Sequence, residues 1–485
     1  MCSVKDLRNG VRDAANSLDQ AEGSPGRKPA FTYVPPSHAR ALDPEATLVE
    51  GIRGSGKSFW CAQLASDNHR KFVQAAFPEV RFDSKLKVAR GFGTGLKPTE
   101  APSADVLAQL TQENFRPRSI WRAVLAFHAG FGGKFAGLKR WSERVQWIQS
   151  HPEDFDDLLE QADQDLDARG ETLLILFDAL DRLAEDWTHI NPLAKALFQV
   201  ALDARSTKRI RFKIFVRPDI LQDSAITGFP DFSKLLAHKA ALNWRRADLY
   251  ALLFQCLGNT ATGGPAFRAM VENASGVSLI GKGTDWVLPP ALRSDEAQQE
   301  ATFIELAGRA MGSSTKRGKP YTWLVNHLQD GLSQVSPRSF FAALKTAADE
   351  TPDDFKLAID YRAIQTGVQK ASQIRVQEIT GEDYPWVQVV MAPLYGNLTV
   401  PCVPKEFEKI WKEQSTLSGL EEKLKAGKAA VKLPPQNLEL GATGVLRDLE
   451  LLGIVQRLID LRIQMPDVYR IAFGLGRRGG VKPLR

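Results

Sequence analysis

One short segment of the chain has the residue types of a phosphate-binding loop. Residues 51–58 read Gly-Ile-Arg-Gly-Ser-Gly-Lys-Ser and match the P-loop pattern G-x-x-x-x-G-K-[S/T]. Because glycine reaches backbone angles that a Cβ atom forbids, successive N–H groups of such a loop can point at a polyphosphate. Lys57 would then reach the β- and γ-phosphates, and the Ser58 hydroxyl would bind Mg²⁺. The residues expected to contact a nucleotide are Gly51, Arg53, Gly54, Ser55, Gly56, Lys57, Ser58 and Phe59.

The residues on either side of this loop suit a strand before it and a helix after it. Residues 46–50 form a short apolar-rich run that ends at the loop, and residues 59–64 continue in a helical pattern. A functional P-loop needs this strand–loop–helix setting. The alternative is a chance match in a glycine-rich loop, and the correct flanks count against it.

A second candidate for chemistry is a carboxylate at the end of an apolar run. Residues 173–178 read Leu-Leu-Ile-Leu-Phe-Asp, which is typical of a strand buried on both faces of a parallel sheet. Ligands bind at the carboxyl edge of such sheets, so Asp178 would lie where it can hold Mg²⁺ through water. The alternative is a core strand that simply ends in a solvated aspartate. The P-loop earlier in the chain favours the magnesium ligand.

Alternating strand and helix patterns predict an α/β core with a parallel, doubly wound sheet. We expect this core to extend over residues 31–245, after an N-terminal helix and linker over residues 1–30. Residues 246–400 have helical patterning, and residues 401–485 have the outline of a winged helix, with helices followed by two short strands and a turn. Within the core, residues 73–115 contain several glycines and prolines, which indicates a long loop or an insertion.

The composition bounds the class of protein. At 485 residues with 43% hydrophobic residues, the chain is long enough for about two to four domains. No apolar run is long enough to span a membrane, and the N-terminus lacks the apolar core of a signal peptide, so we expect a cytoplasmic protein without a membrane partner. The four cysteines are scattered, which argues against a zinc site and a disulfide framework. The net charge of +6 permits nucleic-acid binding without establishing it.

The N-terminal helix has one apolar face. Between residues 3 and 20, apolar side chains recur at spacings of three and four, namely Val4, Leu7, Val11, Ala14 and Leu18. Residues 21–29 follow as a flexible linker rich in glycine and proline. A helix of this kind can dock on the core of its own chain or on a partner protein.

The order of these motifs resembles the ORC/STAND branch of the AAA+ P-loop ATPases, in its bacterial type. The resemblance rests on the loop at residues 51–58, the segment Leu-Leu-Ile-Leu-Phe-Asp-Ala-Leu-Asp at residues 173–181, a strand that ends in Arg217, Ser336-Pro337-Arg338 at the start of a helix, and the C-terminal outline. It implies a parallel-sheet core followed by a helical lid and a winged-helix domain. It also implies ATP or ADP and Mg²⁺ as cofactors.

The resemblance assigns catalytic roles to Lys57, Asp178, Asp181, Arg217 and Arg338. Motors of the superfamily have a glutamate directly after the aspartate at the end of this strand. Here alanine follows Asp178, so Asp181 becomes the candidate for orienting the attacking water. Arg217 would detect the γ-phosphate, and Arg338 would reach the nucleotide from the lid. Each arginine could instead be an ordinary surface or salt-bridged residue.

Two departures from the family pattern bear on turnover and on the ADP state. Residues 218–243 contain no arginine, although ring motors have a trans-acting arginine finger there, so we expect slow hydrolysis and no ring motor. Residues 465–467 read Met-Pro-Asp where related proteins have Met-His-Asp, and the histidine contact with ADP is therefore not expected. Tyr33 and His38 are the only candidates we find for contact with the base.

The leading hypothesis is a slow ATP-dependent switch that signals to a separate effector protein, with self-association as a further possibility. Related switches work in bacterial stress or antiphage defence. The alternative is a DNA-binding ATPase of the origin-recognition kind, which would use the winged helix and the basic tail at residues 477–485. Against it, the candidate recognition helix at residues 442–452 has one arginine and two acids. A third hypothesis is a site that binds nucleotide without turnover.

Overall fold

The computed structural model describes residues 3–19, 28–80, 82–83, 85–184, 187–426, 433–477 and 481–482. The chain divides into two compact units. The first, called the sheet unit, contains residues 34–243. The second, called the helical unit, combines helix α1 (Val4–Asp19), residues 30–33 and the chain from Trp244 onwards. No helix within the described ranges has the length and the apolarity that crossing a bilayer would need.

The sheet unit is built on five parallel strands in the order β2-β3-β4-β1-β5. The strands are β1 (Leu48–Glu50), β2 (Leu86–Phe92), β3 (Thr172–Phe177), β4 (Ile210–Val216) and β5 (Lys239–Ala241). Because all five run in the same direction, their carboxyl ends meet at one edge of the sheet. The prediction of an α/β P-loop fold with a parallel sheet is confirmed.

Helices connect and cover these strands. They are α2 (Pro36–Leu42), α3 (Lys57–Ala65), α4 (Asp67–Ala76), α5 (Ala104–Gln112), α6 (Pro117–Ala129), α7 (Gly133–Ala136), α8 (Trp141–Ser150), α9 (Pro152–Arg169), α10 (Trp187–Ala204), α11 (Pro218–Gln222), α12 (Ser224–Thr227) and α13 (Phe232–Leu236). Helices α6 and α10 pack on each other, and Trp121 Nε1 donates to the Leu193 carbonyl at 2.8 Å. The Trp121 ring also meets the Phe177 ring edge to face, with centroids 5.7 Å apart. All residues of β3 are buried, as its apolar run predicts.

The prediction of a long loop or an insertion over residues 73–115 was wrong. Strand β2 and helix α5 both lie there. Strand β2 is at the edge of the sheet and is only partly buried, so it lacks the apolar run of a central strand. Its Gly91 is a packing residue, because a Cβ atom there would collide with the Phe177 ring. An edge strand with a packing glycine therefore has the composition of a loop.

A buried lysine holds the chain that leads into β1. Lys213 in β4 is fully buried, and its Nζ donates to the carbonyl oxygens of Ala41 at 2.8 Å, Asp43 at 2.7 Å and Ala46 at 2.8 Å. These acceptors match the three donors of an ammonium group. Burial lowers the pKa of Lys213 to about 7, and the carboxylates of Asp43 and Glu45 oppose that shift. The segment between α2 and β1 is therefore tied to the centre of the sheet.

The helical unit contains twelve further helices and three pairs of short strands within the described residues. The helices are α14 (Arg246–Asn259), α15 (Gly264–Ser275), α16 (Pro290–Ser294), α17 (Glu296–Ala307), α18 (Pro320–Leu328), α19 (Pro337–Glu350), α20 (Tyr361–Glu378), α21 (Pro385–Met391), α22 (Pro404–Glu413), α23 (Thr416–Lys425), α24 (Gly441–Leu451) and α25 (Asp467–Arg470). The strand pairs are β6 (Ile280–Lys282) with β7 (Asp285–Val287), β8 (Thr399–Val400) with β11 (Gly476–Arg477), and β9 (Gln456–Arg457) with β10 (Ile463–Gln464).

Helix α1 docks on the helical unit of its own chain. Leu7 and Val11 of its apolar face are buried, and the helix packs on α19. Arg8, which is 2% exposed, donates from Nε to the Ala358 carbonyl at 3.1 Å and from Nη1 to the Asp353 carboxylate at 3.3 Å. Of the two docking sites predicted for this helix, the structure has the one on the chain itself.

The C-terminal part of the helical unit has the predicted order of elements. Helix α24 leads into the antiparallel strands β9 and β10, which are joined by a turn at residues 458–462. The winged-helix assignment stays a prediction, as do the domain boundaries placed at residues 246–400 and 401–485. The linker predicted over residues 21–29 and the basic tail predicted over residues 477–485 lie mostly outside the described residues.

Replacing Lys213 by methionine should destabilise the sheet unit. Three buried carbonyl groups would lose their donor, and we expect the free energy of unfolding to fall by ~3 kcal/mol. Urea unfolding followed by tryptophan fluorescence measures this loss. Lys208→Met is the matched control, because the Lys208 side chain is 67% exposed and its removal should have little effect. Equal stabilities of the two variants would contradict the role given to Lys213.

Candidate functional site

The loop between β1 and α3 has a backbone that depends on its glycines. Gly54 and Gly56 have φ angles of 75° and 101°, in the left-handed region that other residues rarely adopt. A Cβ atom on Gly51 would collide with the Ser55 hydroxyl. The Gly51 amide donates to the Val216 carbonyl at the end of β4, at 3.1 Å. The loop therefore begins at the carboxyl edge of the sheet.

Helix α3 begins where this loop ends. Lys57 is its first residue, so the first amides of the helix have no acceptor within it. The N-terminus of a helix carries a partial positive charge, which favours a phosphate group. Of the other predicted contact residues, Ser55 is buried, and Arg53 and Phe59 are partly buried. The backbone and the helix end together suit a polyphosphate.

Lys57 lies against the loop from which it extends. Its Nζ donates to the carbonyl oxygens of Gly51 at 2.8 Å and Ile52 at 3.0 Å. Burial lowers the pKa of Lys57 to about 8, and the nearby Asp178 carboxylate is the strongest influence in the opposite direction. The ammonium group is thus held in place by weak neutral acceptors that a phosphate oxygen can replace.

Asp178 and Ser58, the two predicted magnesium ligands, lie close to each other. Asp178 follows β3, is 3% exposed, and donates from its amide to the Phe92 carbonyl at 3.0 Å. The Ser58 hydroxyl is near enough to the Asp178 carboxylate to affect its pKa. Burial raises the pKa of Asp178, while the Ser58 hydroxyl and the Lys57 ammonium group oppose that rise. The sheet therefore brings the end of β3 to the first turn of α3.

These two oxygen ligands suit a magnesium ion. Mg²⁺ prefers hard oxygen ligands, and in phosphate sites it binds through one or two protein oxygens together with waters and phosphate oxygens. The Ser58 hydroxyl and the Asp178 carboxylate provide that number. In the described part of the chain, no group of three or more His, Cys, Asp and Glu residues is placed to hold a metal.

Arg217 forms an ion pair with a residue that the sequence analysis missed. It is the first residue after β4 and is 7% exposed. Its Nε donates to Asp219 Oδ1 at 3.0 Å, and its Nη2 donates to Asp219 Oδ2 at 2.7 Å. Both charges act on Lys57, since Arg217 lowers the Lys57 pKa and Asp219 raises it. The sequence Arg-Pro-Asp directly after a buried strand was the available signal for Asp219.

Asp181 lies in the turn that follows Asp178. This turn is a 3₁₀ helix over Leu180–Arg182, preceded by Ala179 with a φ of 56°. The Asp181 carboxylate is partly buried and raises the pKa of both Lys57 and Asp178, which places it within electrostatic reach of each. Four of the five predicted catalytic residues therefore gather at the carboxyl edge of the sheet.

Arg338, the fifth of these residues, belongs to the helical unit. It is in the first turn of α19, which is capped by the Ser336 hydroxyl. Its Nη1 donates to Glu378 Oε1 at 2.9 Å, and its side chain is 36% exposed. Arg338 therefore forms an ion pair in the structure, which is the alternative that the sequence analysis named beside a sensor role. Its contact with a nucleotide stays a prediction.

A buried histidine supports α3 behind the loop. Trp60 Nε1 donates to His38 Nδ1 at 3.1 Å, and both side chains are fully buried. Burial lowers the pKa of His38 to about 3, against the raising effect of a hydrogen bond with the Asn243 backbone. His38 therefore stays neutral and joins α2 to α3. Tyr33, the other candidate for contact with the base, is also buried, in the helical unit.

Comparisons with known proteins give distant structural neighbours. No protein-family model matches the chain, and no curated protein matches it. Three solved structures are similar over most of its length. The Aeropyrum pernix ORC2 protein, solved as ADPNP–ADP complexes, is 12% identical with a TM-score of 0.39, and the match covers 91% of this chain and 93% of that one. Cdc6p from Pyrobaculum aerophilum is 11% identical with a TM-score of 0.29, covering 92% and 93%. The Aeropyrum pernix ORC1 protein, solved in complex with DNA, is 13% identical with a TM-score of 0.32, covering 94% and 93%.

His38 should make the protein less stable in acid. The unfolded imidazole binds a proton with a pKa near its usual value of 6.5, whereas the folded one does so near 3, so protonation favours unfolding as the pH falls between these values. From pH 7.5 to pH 5 this group alone should lower the free energy of unfolding by about 2 kcal/mol. Urea unfolding at the two pH values measures the loss.

The variant His38→Gln tests the assignment of this pH dependence. Glutamine can accept from Trp60 and donate to a carbonyl, but it does not titrate. We expect its loss of stability between the two pH values to be smaller than that of the wild type by about 2 kcal/mol. His189→Gln is the control, because His189 is exposed. An unchanged pH dependence in His38→Gln would show that His38 does not titrate as described.

Proposed function

We propose that this protein is a magnesium-dependent ATPase that hydrolyses ATP slowly and works as a switch. The observation that supports it most is that the Ser58 hydroxyl and the Lys57 ammonium group both lie close enough to the buried Asp178 carboxylate to lower its pKa. The end of the loop at residues 51–58 and the end of a central strand therefore lie side by side. A magnesium–triphosphate complex needs ligands from both of these places.

Binding of a triphosphate would replace bonds that the protein makes to itself. The Lys57 ammonium group would exchange the carbonyls of Gly51 and Ile52 for phosphate oxygens, and the loop amides would donate to the same phosphates. Magnesium, when bound through Ser58 and Asp178, would neutralise charge on the phosphates. Asp181, which is partly exposed, would orient the attacking water.

Slow turnover follows from the residues around this site. The residue after Asp178 is alanine, so the sheet unit has no glutamate at the position that activates water in motors of the superfamily. Residues 218–243 contain no arginine that could act on a neighbouring subunit. Such an arginine contributes about 10³ to 10⁵ in rate where it is present. A protein without it spends long periods in each nucleotide state, as a switch requires.

The switch would transmit the nucleotide state to the helical unit. We propose that residues 246–400 serve as a lid, that Arg338 exchanges Glu378 for the nucleotide, and that residues 401–485 form a winged helix that changes its exposure. The signal would pass to a separate effector protein or to a second copy of the chain. A role in bacterial stress or antiphage defence belongs to the same proposal and rests on the resemblance of motif order.

A DNA-binding ATPase of the origin-recognition kind is the second candidate. The net charge of +6 and the basic residues near the C-terminus favour it. The arginines on the hairpin formed by β9 and β10 give little support to DNA binding, because both are already paired with carboxylates. Arg457 pairs with Glu450, and Arg462 pairs with Asp460. Cations that are already paired release fewer counterions from DNA. The switch is therefore the function we put first.

Lys57→Ala should remove most of the affinity for ATP. A hydrogen bond to a charged group contributes ~1.5–3 kcal/mol, so we expect the Kd for ATP to rise by about 10- to 100-fold. Isothermal titration calorimetry with Mg-ATP measures it. Lys71→Ala is the matched control, because Lys71 lies on α4 with its side chain 76% exposed. Unchanged affinity in Lys57→Ala would reject the phosphate-binding role of the loop.

Asp178→Asn should reduce hydrolysis more than binding. The asparagine oxygen can still accept from Ser58, so the fold is kept, but it holds a magnesium ion poorly. We expect the hydrolysis rate to fall by ~10²-fold, while the affinity for ATP without magnesium changes by less than about threefold. Asp203→Asn, on the surface of α10, is the control. Equal losses of binding and hydrolysis would contradict the assignment of Asp178.

A further inference from the structure

The surroundings of Arg217 place it beside the phosphate-binding loop. Strand β4 is the neighbour of β1, with Val216 paired to Glu50, and the Val216 carbonyl accepts from the Gly51 amide. Arg217 is the next residue in the chain. Its guanidinium group also lowers the Lys57 pKa. The strand pairing and the bond between Gly51 and Val216 therefore place Arg217 beside the loop that would bind a γ-phosphate.

The guanidinium group of Arg217 is already committed to a carboxylate. Asp219 accepts from both Nε and Nη2, at 3.0 Å and 2.7 Å, in the two-pronged geometry of a strong arginine–carboxylate pair. The pair lies largely out of water, since the exposed fractions of the two side chains are 8% and 22%. The same two N–H groups cannot also serve a phosphate, although a guanidinium group has three further N–H donors. A phosphate that approaches the edge formed by Nε and Nη2 must therefore compete with Asp219 for them.

We propose that Asp219 sets the discrimination between ATP and ADP, because its carboxylate and the γ-phosphate compete for the guanidinium group of Arg217. The proposal rests on the proposed function. With ADP bound, Arg217 keeps its pair with Asp219, and no phosphate competes for it. With ATP bound, Arg217 turns to the γ-phosphate, and the loss of the pair with Asp219 reduces the affinity gained. Asp219 thus keeps the affinities for the two nucleotides close together, as a switch that must exchange them requires.

Asp219→Asn is the direct test of this competition. Asparagine keeps the size of the side chain and is accepted in the first turn of a helix, but it removes the charge and one of the two acceptors. We expect the Kd for Mg-ATP to fall by about tenfold, while the Kd for Mg-ADP changes by less than about threefold. Asp219→Ser is a second variant, and a melting curve shows that each variant is folded.

A double-mutant cycle separates competition from simple charge repulsion. Removing a carboxylate near phosphates strengthens binding of any nucleotide, whereas competition acts only through Arg217. In the Arg217→Ala background, Asp219→Asn should therefore leave the ratio of the two Kd values unchanged. A ratio that still moves in this background would overturn the proposal, because the effect would not pass through Arg217.

Asp223→Asn is the matched control for charge. Asp223 lies in the same segment and caps α12, and asparagine serves that position equally well. This variant should leave the ratio of ATP to ADP affinity as it is in the wild type. If Asp219→Asn also leaves it unchanged, the proposal is wrong, although the chain still binds nucleotides. If the wild type binds neither nucleotide, the failure lies with the proposed function itself.

Discussion

The hydrogen bond from the Gly51 amide to the Val216 carbonyl ties the glycine-rich loop to the strand that precedes Arg217. It exists because β1 lies between β4 and β5 in a parallel sheet, with Glu50 paired to Val216. The pairing of β3 with β4 then brings Asp178 to the same edge. Residues that are far apart in sequence meet there because each follows a parallel strand. A change in strand order would separate them even if each motif were kept.

Lys57 donates to carbonyls of its own loop, Arg217 donates to Asp219, and Asp178 lies close to the Ser58 hydroxyl. Burial makes such internal bonds necessary, since an unpaired charge in this position would be costly. It also lowers the pKa of Lys57 and raises that of Asp178, so burial disfavours the charged form of each group. A magnesium–phosphate ligand would bring opposite charges to both groups.

The sequence predicted those parts of the site that follow buried central strands. Asp178 and Arg217 stand after apolar runs, and the loop at residues 51–58 has a pattern with its own mechanism. Strand β2 was missed because an edge strand needs no apolar run. Asp219 was missed because its pairing with Arg217 depends on the turn of the backbone at the start of α11, which residue types alone do not specify. The sequence therefore predicts which residues lie at the site, whereas their hydrogen-bond partners depend on the geometry of the backbone.

The two candidate sensor arginines differ in where their partners lie. Arg217 pairs with Asp219 two residues away, inside the sheet unit, so the proposed exchange between carboxylate and phosphate would involve residues of that unit alone. Arg338 pairs with Glu378 on α20, so its recruitment would break a contact between two helices of the helical unit. Under the proposed function, detection of the γ-phosphate and movement of the helical unit would be separate steps with separate energies. Such a switch would bind ATP fully before it signals, and the strength of the Arg338–Glu378 pair would set how often binding leads to a signal.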